Sequence, residues 1–248
     1  MNPKERLDLL LHERGLVESR QRAKGLILSG AVFVEGQKVE KVGAQVAKDA
    51  EIVVQGAASP YVSRGGIKLE AALSGFHIDV SGKTAIDVGA STGGFTDCLL
   101  QHGAIQIYAV DVGYGQLAWR LRQDQRVVVI ERQNIRALSP SAIPVLVDLA
   151  TIDVSFISLE KTIPSVLSFL KPGGEIIALI KPQFEVGKGE VGRGGIVRDP
   201  EKHREAVARV CGEAASWGLE KKGMLPSPIL GQKGNAEFLV YFRKDEQR

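Results

Sequence analysis

Four charged residues that could handle a proton together occur at long intervals along the chain: Lys68, Asp153, Lys181 and Glu237. Asp153 and Lys181 end the fourth and fifth strands of a predicted sheet. Because neighbouring parallel strands end at the same edge, we expect these two side chains to be neighbours. Lys181 closes the apolar run Ile176–Ile180, and burial favours the neutral amine, which can take a proton from a hydroxyl group. Taken singly, each residue is better explained by a salt bridge; their Lys-Asp-Lys-Glu order within one α/β domain favours a shared role.

A glycine-rich stretch, residues 85–96, joins a predicted buried strand to a predicted helix. Its pattern is D-V-G-x-x-x-G-G-F, which fits neither a dinucleotide fingerprint nor a phosphate-binding loop. Glycines let the backbone approach a ligand closely, and the start of the helix offers unpaired N–H groups. The pattern resembles the first motif of S-adenosylmethionine-dependent methyltransferases, although a glycine turn can also be purely structural. The candidate cofactor contacts are Asp87, Gly89, Ser91, Gly93, Gly94 and Phe95, with Asp87 either holding the loop or reaching the amino group of the cofactor.

Two polar residues follow the next strands of the predicted sheet. Asp111 ends the second strand about twenty residues after the glycine turn, where an acid can bind both ribose hydroxyls of an adenosyl group. Asn134 follows the third strand, where the adenine edge would lie, although a loop-capping role is nearly as well supported. Asp153 completes this predicted cofactor set. An activated methyl group on sulfonium sulfur would need only a base and in-line alignment from the protein.

The elements that must position these residues alternate between strand and helix from Lys83 onward, which predicts an α/β fold with a doubly wound, mostly parallel sheet. The predicted strands cover residues 84–87, 106–111, 127–130, 149–154 and 174–181. A long helix over 200–217 and a closing β pair over 221–224 and 236–243 complete this part.

The N-terminal part has a different character. Two amphipathic helices are followed by short strands, and this order resembles the αL RNA-binding domain. Its cations cluster around the turn between the helices, where they could contact RNA phosphates, although a charged run is often only a solvated surface. The candidate RNA contacts are Arg14, Arg20, Arg22, Lys24, Lys38 and, beyond this part, Arg64.

Five stretches together resemble the TlyA (hemolysin-A-type) family, in which an αL domain precedes an FtsJ-like ribose 2′-O-methyltransferase domain. They are Ser63–Leu69, the glycine stretch 85–96, Tyr108–Leu117, Ile152–Leu159 and Leu179–Glu185. The resemblance implies a class I, Rossmann-like methyltransferase fold, with an RNA-binding domain over 1–58, a linker over 59–63 and a methyltransferase domain over 64–248.

The same resemblance assigns roles to the four charged residues. It implies that Lys181 is the base and that Lys68, Asp153 and Glu237 set its protonation and orient the ribose. It also implies S-adenosylmethionine as cofactor, and ribosomal RNA or ribosomal subunits, with cytidine ribose as acceptor, as substrate.

Composition excludes several other classes. At 44% hydrophobic and 25% charged residues, the chain is typical of a globular protein, and its net charge of +3 permits a nucleic-acid partner without requiring one. No apolar run reaches the length of a membrane span, so we expect a cytoplasmic protein without a membrane partner. We interpret Cys98 and Cys211, which are far apart in sequence, as lacking Cys or His companions at metal spacing, so we expect no metal site.

Three rival functions stay open. The family's historical name suggests a haemolysin or membrane-acting protein, but no strongly amphipathic basic helix supports it. The chain could also be an RNA-binding module without methyltransferase activity, or a methyltransferase for small molecules. Amine methylation is disfavoured because Asp153-Val154-Ser155-Phe156 differs from the (D/N)-P-P-(Y/F) motif of amine methyltransferases. The sequence leaves the target nucleotide, the ribosomal subunit and the oligomeric state open.

Overall fold

The computed structural model describes residues 4–14, 16–17, 19–54, 60–187, 189–192 and 194–246. The chain divides into two compact units, Met1–Ser59 and Pro60–Arg248. The domain border predicted at residue 58 and the first residue of the predicted linker, Ser59, lie outside the described residues. Within the described ranges, no helix has both the length and the apolar character needed to cross a membrane.

In the first unit, two helices and short strands enclose a small apolar core that includes Leu7, Leu11 and Ile27. The hydroxyl of Ser19 accepts the backbone N–H of Arg22 and so caps the start of the second helix. The elements are β1 (Lys4–Arg6), α1 (Leu7–Glu13), α2 (Arg20–Leu28), β2 (Val32–Val34), β3 (Gln37–Lys38), β4 (Gln45–Ala47) and β5 (Ile52–Val54). The strand β2 pairs with β3 and β5, and β1 pairs with β4, all antiparallel. The β1–β4 pair was not predicted, because strands of three residues show too little alternation to be recognised.

The second unit contains a seven-stranded sheet with helices. Its helices are α3 (Gly65–Phe76), α4 (Gly94–Gln101), α5 (Trp119–Arg122), α6 (Leu159–Val166), α7 (Pro182–Glu185) and α8 (Pro200–Ser216). Its strands are β6 (Thr84–Val88), β7 (Gln106–Val110), β8 (Val127–Ile130), β9 (Val147–Ile152), β10 (Leu170–Ile180), β11 (Leu219–Pro226) and β12 (Phe238–Lys244). The strand order is β11-β12-β10-β9-β6-β7-β8, and only the pairs that involve β12 are antiparallel. The predicted fold class is therefore confirmed.

The register of the central strands brings the candidate residues to one edge. Val88 lies beside Ile152, and Ile152 lies beside Ala178, so β6, β9 and β10 end close together. The strand β12 runs the other way, with Phe238 opposite Ile180. The residue before Phe238 and the residue after Ile180 therefore meet at this same edge.

The segment that follows residue 59 packs on the second unit. Tyr61 is buried in its core, and the backbone N–H of Val62 donates to a carboxylate oxygen of Asp97 at 2.7 Å. The amide of Gln101 donates to the carbonyl of Pro60 at 2.9 Å. Since Asp97 and Gln101 both belong to α4, the predicted linker residues 60–62 are attached to the helix that follows the glycine stretch.

Candidate active site

The glycine stretch forms a tight turn between β6 and α4. Gly89 has a φ of +87°, a conformation that side chains disfavour, and a Cβ added there would lie 2.6 Å from the carbonyl oxygen of Asp153. A Cβ on Gly94 would lie 2.8 Å from the backbone nitrogen of Gly66 on α3. The turn therefore packs between two other backbone segments, and glycine is required at both positions.

A cavity of about 520 Å³ opens at the carboxyl edge of the sheet, beside this turn. Of the predicted cofactor residues, Gly89, Ser91, Asp111, Asn134 and Asp153 line it. Gly93, Gly94 and Phe95 do not; Phe95 is 3% exposed and packs in the core beneath the turn. Several lining residues were not among the predicted cofactor contacts, because only the fold brings these loop positions to the cavity: Val112, Gln116, Gln133 and Phe156.

Asp111 holds the rim of the cavity through both carboxylate oxygens. One oxygen accepts the backbone N–H of Ser91 at 2.8 Å, and the other accepts that of Gly113 at 2.7 Å. Asn134 also lines the cavity, but its side-chain oxygen accepts the N–H of Arg136 at 3.0 Å. The loop-capping role left open for Asn134 is thus present, together with a position that a ligand could reach.

Asp87 is fully buried and does not line the cavity. Its carboxylate accepts hydrogen bonds from the hydroxyls of Thr96 at 2.6 Å and Thr151 at 3.0 Å. Burial raises the pKa of Asp87 to about 6, and the hydrogen bonds from the two threonines offset part of that effect. Of the two roles predicted for Asp87, these contacts fit the one in which it holds the glycine turn.

The buried carboxyl group of Asp87 predicts a pH-dependent stability. Its pKa in the folded state lies above the usual value of 3.8, so the unfolded chain loses this proton first as the pH rises. We expect the contribution of Asp87 to the free energy of unfolding to be complete below about pH 4. It should fall by roughly 3 kcal/mol as the pH passes through about 6. Urea unfolding of the wild type and of Asp87→Asn between pH 4 and 7.5 should show the variant gaining stability relative to wild type over that window.

The matched control for this series is Asp79→Asn, which changes an exposed aspartate in the turn before β6. A difference between wild type and Asp87→Asn that stays constant over the whole pH range would contradict the expectation.

Lys181 and Asp153 form an ion pair beside the cavity, with 2.5 Å between Nζ and a carboxylate oxygen. The lysine Nζ also donates to the carbonyl of Val154 and to the hydroxyl of Ser155, both at 2.9 Å. Lys181 is only 7% exposed. Asp153 and Lys181 are therefore neighbours, as predicted from the strand ends. Three acceptors surround the amino group of Lys181: the Asp153 carboxylate, the Val154 carbonyl and the Ser155 hydroxyl.

Lys68 and Glu237 form a second buried ion pair, with 2.5 Å between Nζ and a carboxylate oxygen. Lys68 lies on α3, and Glu237 directly precedes β12. Because Phe238 lies opposite Ile180, Glu237 and Lys181 are neighbours at the strand ends. The fold thus collects four charged groups that are far apart in sequence into two ion pairs at one edge of the sheet.

The segment after Asp153 has an unusual conformation. Phe156 has a φ of +66° and is 86% exposed. Aromatic residues rarely have a positive φ and are rarely so exposed to solvent. Its ring lies 5.1 Å from that of Phe184. Glu185 holds the end of this segment, accepting the hydroxyl of Ser158 at 2.7 Å and the N–H of Leu159 at 3.0 Å. The segment therefore presents an aromatic face at the cavity while its other end is fixed to α7.

The predicted RNA-contact residues of the first unit divide into two groups. Arg14 donates to the carbonyls of Ala50 and Lys48, Arg20 pairs with the buried Asp8 at 3.3 Å, and Lys38 pairs with Glu40 at 2.7 Å. Arg22 and Lys24 are exposed on α2 and form no salt bridge within the described part of the chain. In the second unit, Arg64 is exposed at the start of α3.

The cysteines lie on helices, as predicted, and both thiols are free. Cys98 is buried, which raises the pKa of its thiol to about 12, and Cys211 is partly buried. The judgement that neither cysteine has a suitable companion was wrong for Cys98. His102 follows it by one helical turn, and Glu70 of α3 reaches the same place. The spacing to His102 was visible in the sequence, whereas the approach of Glu70 depends on the fold.

The chain is similar to known proteins over nearly its whole length. An FtsJ-like methyltransferase family profile matches residues 61–244, and an S4 domain profile matches residues 5–52. YqxC of Bacillus subtilis (strain 168), a proposed rRNA methyltransferase, is 51% identical over 239 residues, covering 96% of this chain and 85% of YqxC.

Two further similarities extend over at least as much of the chain. The 16S/23S rRNA (cytidine-2′-O)-methyltransferase TlyA of Mycobacterium tuberculosis is 45% identical over 249 residues, covering 100% of this chain and 93% of TlyA. A solved structure of a proposed hemolysin from Streptococcus thermophilus is 44% identical with a TM-score of 0.78, covering 99% of this chain and 90% of that protein. The resemblance drawn from the sequence motifs is confirmed.

Proposed function

Because this chain belongs to the FtsJ-like methyltransferase family and carries an S4 domain, we propose that it methylates a ribose 2′-hydroxyl of ribosomal RNA, using S-adenosylmethionine. The observation that carries the proposal is the ion pair of the buried Lys181 with the partly buried Asp153 at the wall of the cavity beside the glycine turn. A cytidine acceptor is the preferred nucleotide, since the TlyA relative is named for that reaction. This function places the protein in the cytoplasm, where ribosomal RNA is found.

The cavity fits an adenosyl cofactor in size and in chemistry. Its volume of about 520 Å³ lies within the usual range for small-ligand pockets. We assign the ribose hydroxyls to Asp111 and the adenine edge to Asn134, and the turn at Gly89 supplies close backbone approach. When bound, the cofactor would supply a methyl group already activated on sulfonium sulfur.

The role of the protein is then to position and deprotonate the acceptor hydroxyl. Lys181 first releases its own proton to solvent. The neutral amine then takes the proton of the 2′-hydroxyl while the oxygen attacks the methyl group. Asp153, the Val154 carbonyl and the Ser155 hydroxyl are placed to stabilise the ammonium that forms. The Lys68–Glu237 pair adjoins this group and orients the ribose.

The exposed surface suits RNA. The uncovered ring of Phe156 offers a stacking face for a base, which is how proteins commonly bind unstacked nucleotides. Arg22 and Lys24 on α2, together with Arg64, are the cations most available for phosphates. Arg14 and Arg20 serve structure as well, because each is already bound within the first unit.

We retain the predicted domain division for this function. Residues 1–58 are assigned to RNA binding, 59–63 to the linker and 64–248 to methyl transfer. Tyr61 and Val62, which fall within the predicted linker, are attached to the second unit.

Replacing Arg22 and Lys24 by alanine should weaken RNA binding without unfolding the first unit, because both side chains are exposed. The slope of log K against log salt should become shallower by about 2, since each lost phosphate contact removes about one released counterion. Filter binding of a ribosomal RNA fragment at several salt concentrations measures this slope.

The control for that experiment is the double variant Arg204→Ala and Lys222→Ala, which removes two cations that already form salt bridges in the second unit. If the control variant loses as much RNA affinity as the Arg22 and Lys24 variant, the effect comes from net charge and not from the two cations on α2.

The reaction itself is tested by transfer of labelled methyl from S-adenosylmethionine to ribosomal RNA and to isolated ribosomal subunits. Label recovered as a 2′-O-methyl nucleoside after nuclease digestion supports the proposal. Cofactor binding without transfer to any ribosomal substrate would instead favour a small-molecule methyltransferase. Lack of cofactor binding would leave an RNA-binding module, and lysis of erythrocytes by the purified protein would favour the haemolysin.

A further inference from the structure

Three side chains with metal-binding chemistry meet between α3 and α4, apart from the residues that line the cavity. Cys98 lies on α4, His102 directly follows that helix one turn later, and Glu70 faces them from α3. One ligand atom of each residue lies within 4.8 Å of the other two. The Sγ atom of Cys98 is 3.7 Å from Nδ1 of His102.

The orientation of the His102 ring makes this more than a chance grouping. Its Nδ1 lies 2.9 Å from the carbonyl oxygen of Cys98, so a proton on Nδ1 satisfies that carbonyl. The lone pair of Nε2 then faces a carboxylate oxygen of Glu70 at 3.2 Å. Metal-bound histidines commonly donate their other ring nitrogen to a backbone carbonyl in this way. Two lone pairs that face each other at this distance need a cation between them, either a proton or a metal ion.

We propose that Glu70, Cys98 and His102 bind a divalent transition-metal ion of the zinc class. Thiolate, imidazole and carboxylate are ligands that zinc combines, whereas magnesium and calcium prefer oxygen ligands alone. The contact of 3.2 Å between Nε2 of His102 and the Glu70 oxygen is close to the separation of about 3.3–3.7 Å expected between ligands of one tetrahedral zinc ion. The Sγ atom of Cys98 lies beside the same ring, 3.7 Å from its other nitrogen. Glu70 is partly exposed, so its side chain can close the remaining distance.

Binding exchanges two protons for the metal, and both protons pass to solvent: the one on the thiol of Cys98 and the one that otherwise lies between Nε2 of His102 and Glu70. The sulfur of Cys98, Nε2 of His102 and a Glu70 oxygen then form bonds to the ion. A fourth position is left for water. The ion would join α3, which carries Lys68, to α4, which follows the glycine turn. It would therefore stabilise the second unit, whether or not methyl transfer takes place there.

Cobalt(II) titration of the metal-stripped, full-length protein without a polyhistidine tag tests the site directly. We expect one equivalent to bind and to give a sulfur-to-cobalt charge-transfer band, which zinc abolishes by competition and magnesium does not. Cys98→Ser should remove the band, and His102→Gln should weaken binding by at least about tenfold. Cys211→Ser, which changes the other cysteine, is the matched control and should keep the band. Zinc should also raise the unfolding temperature of the wild type but not of His102→Gln.

A wild type without the band would overturn the proposal and leave Glu70 and His102 as an ordinary side-chain contact. Loss of the band in Cys211→Ser, or its persistence in Cys98→Ser, would overturn it by locating the metal elsewhere. Since Cys98 is fully buried, its variant could fail to fold. His102→Gln changes a partly exposed side chain and decides the question in that case.

Discussion

Replacing Lys181 by alanine is expected to lower the single-turnover rate of methyl transfer roughly 10²- to 10⁴-fold, the range by which a positioned base accelerates proton transfer. The affinity for S-adenosylmethionine should stay the same or increase. The reason is that the variant removes a positive charge next to Asp153, which lines the cavity that would hold a cationic cofactor. Rapid-quench transfer of labelled methyl measures the rate, and calorimetric titration measures the affinity.

A second variant of Lys181 tests whether proton removal or positive charge is required, and a variant of another lysine serves as the control. Lys181→Arg keeps the positive charge but not a group that can be deprotonated, so it should be as inactive as alanine. Lys171→Ala changes a lysine at the opposite end of β10, where it pairs with Asp148, and should retain wild-type transfer. Transfer by Lys181→Ala at more than a tenth of the wild-type rate would mean that another group takes the proton.

The neighbour relation of Asp153 and Lys181 could be predicted because it depends only on strand order. Apolar runs interrupted by helices indicated parallel strands, and parallel strands end at one edge. The Lys68–Glu237 pair could not be found in this way. It joins residues 169 positions apart through the packing of α3 near β12. Their order in the domain placed the two residues in one group, but no sequence pattern shows that they pair with each other.

Burial and local partners explain most of the remaining differences. The sequence shows that Arg14 and Arg20 are cations, but not that a carbonyl or Asp8 already binds them. It places Asp87 next to the glycine turn, but the two threonines that turn its carboxylate inward come from α4 and β9. Phe156 has a positive φ just before the residues that Glu185 holds, and no local sequence pattern indicates that conformation.

The remaining large effect concerns Gly89. In Gly89→Ala, the positive φ alone should cost roughly 1–3 kcal/mol of stability. The added Cβ also overlaps the carbonyl of Asp153, and relieving that overlap moves the residue that pairs with Lys181. We therefore expect affinity for S-adenosylmethionine to fall at least about tenfold, and methyl transfer to be lost with it. Calorimetric titration and urea unfolding measure the two effects separately.

Gly82→Ala separates the two effects of Gly89→Ala, the contact of the added Cβ with Asp153 and the strain of a positive φ. Gly82 has a similar φ of +72°, but a Cβ there meets no atom within 4 Å. This variant should lose stability by the strain alone and bind the cofactor like the wild type. If Gly89→Ala binds cofactor as well as Gly82→Ala does, the turn is only a structural connection and the ligand must lie elsewhere. If the two differ as expected, the turn contributes to function through the position it imposes on Asp153, which links the cofactor cavity to the Lys181 pair.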